Sequence, residues 1–300
     1  MLHIGHARSF LLAFWHVRSR RGRLALRLED LDVARVQPAW LDATLRDLTW
    51  LGLDWDGQPE LQSGSLERIR AAARDLETRD LAYACICTRG ELRAVSAPHA
   101  GESEPRYPGT CRDRFASLAG AESSSRRQAG LRFRVPPGSV EIEDGFAGTS
   151  SWDVQSDIGD FLILRRDKVP AYQLAVVVDD AAQGVSEVLR GDDLLPSAAR
   201  QLHLLRALGL PSPRWFHVPL VCDASGRRLA KRSNDVSLSE LRARGIDPRA
   251  VVAWVAVTAG MQVPERLTAR EALPEFDLAR VPRSAVLLQP EALARLHAAR

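Results

Sequence analysis

The sequence predicts an α/β protein, a parallel sheet covered by helices on both faces, with one irregular insertion. Two patterns carry that expectation. Segments with apolar residues at helical spacing alternate with short leucine- and valine-rich runs, the order that yields parallel strands joined by helical crossovers. Between about residues 82 and 130 the alternation stops, Pro, Gly and Ser accumulate, and three cysteines gather. The composition agrees: 45% hydrophobic and 26% charged residues over 300 positions describe a soluble chain long enough for a substantial core. No run of about 18 apolar residues exists, so no membrane-spanning helix is expected.

Residues 6 to 20 place Phe10, Leu11, Phe14 and Val17 on one helical face. This apolar cluster is no signal peptide, because His3, His6 and Arg8 interrupt its start, Arg18, Arg20 and Arg21 follow it, and no small-residue cleavage site appears. After Gly22, residues 24 to 28 read as a strand ending in the acidic Glu29-Asp30-Leu31-Asp32. A helix follows from Pro38 to Trp50, with proline suited to its first turn, and another from Ser65 to Thr78. Beyond the insertion, residues 131–135 and 140–143 read as antiparallel strands. The alternation resumes at Phe161–Leu164 and Val185–Leu189, then a helix from Pro196 to Leu208. A strand over His217–Val221 leads into a hairpin loop, and from about Ser237 the chain is mostly helical. The expected division is a main domain over 1–240, with the insertion at about 82–130, and a C-terminal helical segment over 241–300.

Of 41 Lys plus Arg residues only Lys168 and Lys231 are lysine. The net charge of +3 permits a nucleic-acid partner, but no basic run forms a stripe, and the arginine excess fits genomic base composition as well. Lys231 lies in the hairpin loop Gly226-Arg227-Arg228-Leu229-Ala230-Lys231-Arg232, and the chain opens Leu2-His3-Ile4-Gly5-His6-Ala7-Arg8. His3 and His6 share one side of a first helical turn, where unpaired N–H groups and the helix dipole attract phosphate. Gly5 lets a nucleotide base approach the backbone. A lysine is a compact charge on a flexible stem, suited to closing on a leaving pyrophosphate, whereas arginine imposes a planar fork. Taken singly, the imidazoles read equally as solvated decoration and the loop as a charged surface hairpin. Together they predict ATP binding by His3, Gly5, His6 and Lys231, with His3, His6 and Lys231 catalytic in activating a carboxylic acid.

Cys85, Cys87 and Cys111 in an irregular segment suit a tetrahedral zinc site lacking one ligand, with His99 between them as an ordinary fourth ligand. Three buried thiols acting as small hydrophobes are the plainer reading, and Cys222 is expected in the core. Four cysteines so placed make no disulfide framework, which favours a reducing cytoplasm.

LHIGHAR at 2–8 resembles the HIGH signature of the class I aminoacyl-tRNA synthetases. GRRLAKR at 226–232 resembles their KMSKS loop, with Arg228 for the first lysine and Ala230 for the serine. LRLEDLD at 26–32, LGLDWDG at 51–57 and AYQLAVVVDDAAQGVSEVLRGDDLL at 171–195 are similar to the glutamyl branch, and the likeness runs over most of the chain. Within that branch the chain is similar to the glutamyl-Q tRNA(Asp) synthetases, which keep the catalytic domain without an anticodon-binding domain; too little chain follows the hairpin here for that domain.

The resemblance implies a Rossmann-like parallel sheet of a class I synthetase catalytic domain, with a zinc-binding insertion that contacts tRNA and a C-terminal helical segment. L-Glutamate would be activated by ATP, with Mg2+, to glutamyl-adenylate. It would then pass to the cyclopentenediol of queuosine at the wobble position of tRNA(Asp), on a monomeric enzyme. Glu29 would hold the substrate ammonium, and Tyr172 and Arg190 would be the other glutamate contacts, the guanidinium clamping a carboxylate through two hydrogen bonds. On the residues alone, Glu29 reads as a surface acid, Tyr172 as core and Arg190 as an ion-pair partner. The family pattern Cys-x-Cys then Tyr-x-x-x-Cys makes Tyr107, in Tyr107-Pro108-Gly109-Thr110-Cys111, the fourth ligand of a structural Zn2+ with Cys85, Cys87 and Cys111. Zinc would have to lower a phenol pKa of about 10. Family members also carry Arg-x-Ala-Pro-Ser-Pro-Thr-Gly before the HIGH signature, which has no counterpart ahead of Leu2. Either the sequence starts too late, the favoured expectation, or part of the substrate site is lost, which would make a non-catalytic tRNA-binding paralog an alternative; a minimal glutamyl-tRNA synthetase charging a tRNA terminus is another, from the same chemistry.

Overall fold

Burial of one helix face organises the first half of the core. Helix α1 (Ile4–Arg18) sinks Ile4, Ala7, Leu11, Leu12, Phe14 and Trp15 completely. These side chains join Leu48 of α2 (Pro38–Trp50), Leu51 just after it and residues from the last third of the chain in one cluster. A computed structural model describes residues 2–32, 36–88, 90–92, 106–229 and 236–299. In chain order the next elements are β1 (Arg27–Leu28), which precedes α2, then β2 (Glu60–Leu61), α3 (Leu66–Thr78) and β3 (Ala82–Cys85). After these come α4 (Leu118–Ser125), β4 (Gly130–Phe133), β5 (Val140–Asp144), β6 (Gly148–Trp152), α5 (Val154–Asp157) and β7 (Phe161–Leu164). They lead to α6 (Tyr172–Ala182), β8 (Glu187–Gly191), α7 (Leu195–Leu208), β9 (Arg214–Val218) and β10 (Val221–Asp223). The chain closes with α8 (Leu238–Ala243), α9 (Pro248–Thr258), β11 (Val286–Leu288) and α10 (Pro290–Ala298).

The α/β class holds, and the parallel sheet is narrower than the alternation implies. Its order is β6-β5-β9-β8, with β5, β9 and β8 parallel and β6 added antiparallel through a tight hairpin. Phe161–Leu164, expected to resume the parallel pattern, instead pairs antiparallel with β4, which also pairs antiparallel with β3. Two short parallel pairs, β1–β2 and β10–β11, complete the described sheets.

Other expectations need adjusting for identifiable reasons. Only Arg27 and Leu28 of the strand over 24–28 form ladder pairs; Leu24 and Leu26 instead take single bonds from the 56–60 segment, Asp56 N–H to Leu24 O at 2.7 Å and Glu60 N–H to Leu26 O at 2.9 Å. The strand over 217–221 breaks at Pro219, which has no N–H to give a ladder, into the end of β9 and the start of β10. The C-terminal stretch contains β11 beside its helices.

A second cluster lies under α3, α6 and α7, against β4, β5 and β7. A third, small one gathers Tyr83, Cys85, Ile86, Tyr107, Cys111, Ala121 and Ala129 within the insertion. Gly159 fixes that insertion to the body. Its φ is +76°, and a Cβ there would meet the Tyr107 carbonyl oxygen at 2.6 Å. Among the described residues no helix is long and apolar enough to cross a membrane.

Candidate active site

The first turn of α1 is closed by its own histidines. His3 is the N-cap, and its Nδ1 accepts the Gly5 N–H at 3.1 Å. His6 reaches back, its Nδ1 accepting the His3 N–H at 3.1 Å. The two rings lie 3.8 Å apart between centroids. Because each Nδ1 is an acceptor, each ring carries its proton on Nε2, the nitrogen farther from the backbone. Each ring thus carries an Nε2–H donor at a helix start, where the dipole favours a phosphate. Gly5 has a structural reason beside the expected one: a Cβ there would lie 2.9 Å from His3 Cε1 and displace the cap.

This helix start meets both flanks of the late hairpin. His3 bridges Ser237, and the Leu238 N–H donates to the Leu2 carbonyl at 3.0 Å. On the other flank, Arg8 is buried and its Nη1 donates to the Pro219 carbonyl at 2.6 Å, while Nε reaches Thr258 Oγ1 at 3.3 Å. Burial lowers the Arg8 pKa to about 10, with Asp192 acting against that. Arg228 pairs with Asp193 at 2.6 Å. His3, Gly5 and His6 are therefore brought to the base of the hairpin; Lys231, like Ala230, lies outside the described residues.

Glu29, Tyr172 and Arg190 come within electrostatic reach of one another, Glu29 and Arg190 both acting on the Tyr172 hydroxyl. Glu29 follows the last residue of β1, Tyr172 opens α6 and Arg190 sits in β8. Arg27 ties the end of β1 to α6 through Asp180 at 2.7 Å and Gln183 at 2.5 Å. Glu29 is exposed, yet desolvation raises its carboxyl pKa, Arg27 opposing and Asp180 and Asp179 adding to the rise. Tyr172 is 39% exposed, so it is no core residue. Its pKa is raised by burial of the hydroxyl, with Arg190 lowering it and Glu29 and Asp180 raising it. Tyr172 is thus the link between the acid and the guanidinium.

Arg190 is no ion-pair partner: among the described residues no carboxylate bonds to it directly. Its Nε donates to His217 Nε2 at 3.0 Å and its Nη2 to Gln201 Oε1 at 2.9 Å and the Leu194 carbonyl at 3.4 Å. Desolvation lowers its pKa, and Tyr172 and Asp180 raise it. A half-buried cation held only by neutral acceptors leaves its charge to be met by a ligand anion. His217, Gln201 and the acid behind them, Asp144, stand outside the set expected from sequence. One sign was available: in Val140-Glu141-Ile142-Glu143-Asp144 the aspartate falls on the buried parity of the strand.

Cys85, the last residue of β3, Cys87 just beyond it and Cys111 converge, their sulfurs all within 4.8 Å of one another. Tyr107 joins them, its Oη 3.4 Å from Cys85 Sγ, 3.8 Å from Cys87 Sγ and taking the Cys111 N–H at 2.8 Å. The separations match the edges of a tetrahedron about 3.8 Å long that zinc–thiolate bonds of about 2.3 Å would span. Burial and the neighbouring sulfurs push the Cys87 thiol up to about 12 and raise the Tyr107 phenol, while backbone and Tyr107 hydrogen bonds hold Cys111 down despite burial. Such crowding of acidic donors is what a divalent cation relieves. Arg132 sits outside, its Nε 3.3 Å from Cys85 Sγ and its guanidinium 3.7 Å from the Tyr107 ring centre. The donor set fits zinc. His99 lies outside the described residues, and Cys222 is buried in β10 as expected.

Residues 1–293 match the family model of the catalytic domain of class I tRNA synthetases (E and Q). A protein named glutamyl-Q tRNA(Asp) synthetase, from Symbiobacterium thermophilum, is 44% identical over 98% of this chain and 94% of its own length. A glutamate–tRNA ligase from Parasynechococcus marenigrum is 37% identical over 91% of this chain, which spans only 59% of that longer protein. The crystal structure of a glutamate tRNA ligase from Elizabethkingia meningosepticum, in complex with its amino acid, has the same fold, with a TM-score of 0.81 at 23% identity; the likeness covers 98% of this chain and 66% of that one.

Proposed function

Because the chain belongs to the class I tRNA synthetases for glutamate and glutamine, and within them to the glutamyl-Q tRNA(Asp) synthetases, we propose that it activates L-glutamate with ATP and transfers it to queuosine in tRNA(Asp). In the first step the α-carboxylate attacks the α-phosphorus of ATP, glutamyl-adenylate forms and pyrophosphate leaves. In the second, a hydroxyl of the queuosine cyclopentenediol attacks the activated carbonyl, an ester forms and AMP leaves. The observation that carries this reading is a pair of opposite ends that both act on Tyr172: an exposed acid, Glu29, and a guanidinium, Arg190, that no described carboxylate bonds directly. A molecule with an ammonium and a side-chain carboxylate satisfies both ends; glutamine leaves the cation unmet.

His3 and His6 are assigned to the ATP phosphates, with Gly5 beside the nucleotide and Lys231 to the departing pyrophosphate; Mg2+ accompanies the ATP. Zinc, bound by Cys85, Cys87, Tyr107 and Cys111, would supply a structural staple for the insertion. The four free thiols suit a reducing cytoplasm.

The test is glutamate-dependent ATP–pyrophosphate exchange without tRNA, then transfer of labelled glutamate to tRNA(Asp) with and without queuosine. Exchange together with transfer only to the queuosine-bearing tRNA is expected. Transfer to both tRNAs would instead mean charging of the terminal adenosine, and absent exchange would mean a binding protein. For the insertion, we expect one zinc per chain by elemental analysis. Cys111→Ser should lose that metal and lower the thermal midpoint by several degrees, as loss of about 1–2 kcal/mol does in a chain of this size. Full zinc retention by the variant would remove Cys111 from the ligand set.

A further inference from the structure

Three adjacent strands each contribute one side chain to a single polar row. Asp144 ends β5, His217 lies in β9 and Arg190 in β8; the sheet order β5-β9-β8 sets them side by side, and Arg190 and His217 are register partners. Asp144 Oδ2 is 2.6 Å from His217 Nδ1, and Arg190 Nε is 3.0 Å from His217 Nε2. An arginine Nε can only donate, so His217 Nε2 must offer its lone pair. The imidazole proton is therefore on Nδ1 and is donated to Asp144. Both side chains are fully shielded from solvent.

Asp144 is fixed in its turn by the backbone. Its Oδ1 accepts the N–H groups of Phe146 at 2.9 Å, Ala147 at 2.7 Å and His217 at 3.1 Å. Burial works against the carboxylate, but the His217 bond and these amides prevail and hold its pKa below the ordinary aspartate value. On the far side of the guanidinium, Gln201 accepts from Nη2 and passes its own Nε2–H to Gln173 Oε1 at 3.0 Å, whose Nε2 donates to Ser197 Oγ at 3.0 Å. This amide relay keeps the Gln201 oxygen turned toward Arg190. Nε and Nη2 are committed to the protein, which fixes the guanidinium plane.

We infer that Asp144 and His217 are positioning residues for recognition of the substrate side-chain carboxylate: Asp144 sets the His217 tautomer, and His217 sets the plane of Arg190. The inference rests on the reading of Arg190 as the glutamate clamp.

Asp144→Asn separates this role from bulk stability. The carboxamide oxygen it introduces keeps the three backbone N–H groups, so the NH2 faces His217 Nδ1. The ring must then accept there and carry its proton on Nε2, opposing the Arg190 Nε–H; an aspartate-to-asparagine change behind a histidine acts this way in the serine-protease triad. We expect the glutamate KM in pyrophosphate exchange to rise about 10- to 100-fold while the ATP KM stays within about twofold. His217→Leu should do the same. His217→Gln, which retains an acceptor oxygen, should recover part of the loss. The Asp144→Asn and His217→Leu effects should not add, because both act through one bond. Nitrogen-15 NMR of labelled histidine should show the His217 proton moving from Nδ1 to Nε2 in Asp144→Asn. The idea is overturned if glutamate and ATP KM shift together, if His217→Gln is no better than His217→Leu, or if the tautomer does not change. Should Asp144→Asn fail to fold, the comparison of the two His217 variants decides alone. An unchanged glutamate KM in Arg190→Ala defeats the clamp itself, whereas a raised one beside a normal Asp144→Asn defeats only the relay.

Discussion

Arg190→Ala should cut kcat/KM for glutamate by about 30-fold to several thousand-fold, with most of the loss in KM. Truncating one partner of a buried, hydrogen-bonded charge pair costs about 2–5 kcal/mol, and each 1.4 kcal/mol is about tenfold. The loss belongs to glutamate because no described carboxylate bonds this cation directly: its partners are an imidazole, an amide, a backbone carbonyl and the Tyr172 hydroxyl. Glutamine, which gains less from the charge, should lose less, so the preference for glutamate over glutamine should shrink. Arg190→Lys should not restore the enzyme, since an ammonium cannot engage His217 and Gln201 and still present a fork. Pyrophosphate exchange against glutamate and glutamine series measures all of this. An equal fall with both amino acids would remove Arg190 from side-chain recognition.

How much of this was legible in the sequence follows from how local each feature is. Helix α2 is set by Pro38 and nearby apolar spacing, and the structure reproduces its expected bounds. The cysteine cluster is legible because its residue types have few other uses in such a segment. His3 and His6 are legible as a pair, but not as the caps of their own helix, since which ring nitrogen points where depends on the cap geometry. Tyr172 misleads because an aromatic followed by Leu174, Val176 and Val177 reads as core, whereas it opens α6 as an exposed residue while those three are buried. The Asp144–His217–Arg190 row is beyond reach for a different reason. Its members lie on strands whose neighbours are set only when β5, β9 and β8 assemble, and Asp144 and His217 are 73 positions apart.

Lys231→Ala should slow adenylate formation by about 10²–10³ while the glutamate KM stays nearly unchanged. Pyrophosphate gains charge as it departs, so a cation that meets it late stabilises the transition state more than the ground state. The neighbouring arginine should not serve in its stead. Arg228, which stands where the KMSKS pattern has its first lysine, is paired with Asp193 at 2.6 Å. That pair is partly exposed, 67% at the arginine and 23% at the aspartate, and such pairs are worth about 1 kcal/mol or less. Arg228→Ala should therefore cost only about fivefold in exchange rate. Lys231→Arg should fall between alanine and the parent, because the charge is kept but its planar fork must find a geometry that a lysine does not require. Single-turnover formation of glutamyl-adenylate measures the three variants directly. If Lys231→Ala lost no more than Arg228→Ala, the hairpin would act as a whole charged surface, and no single ammonium would meet the leaving group. If instead the lysine variant alone were slow, the two ends of the chain would be working on one triphosphate: donors from the first turn of α1, and a cation from the loop whose following flank is bonded to that helix start at Leu2 and His3.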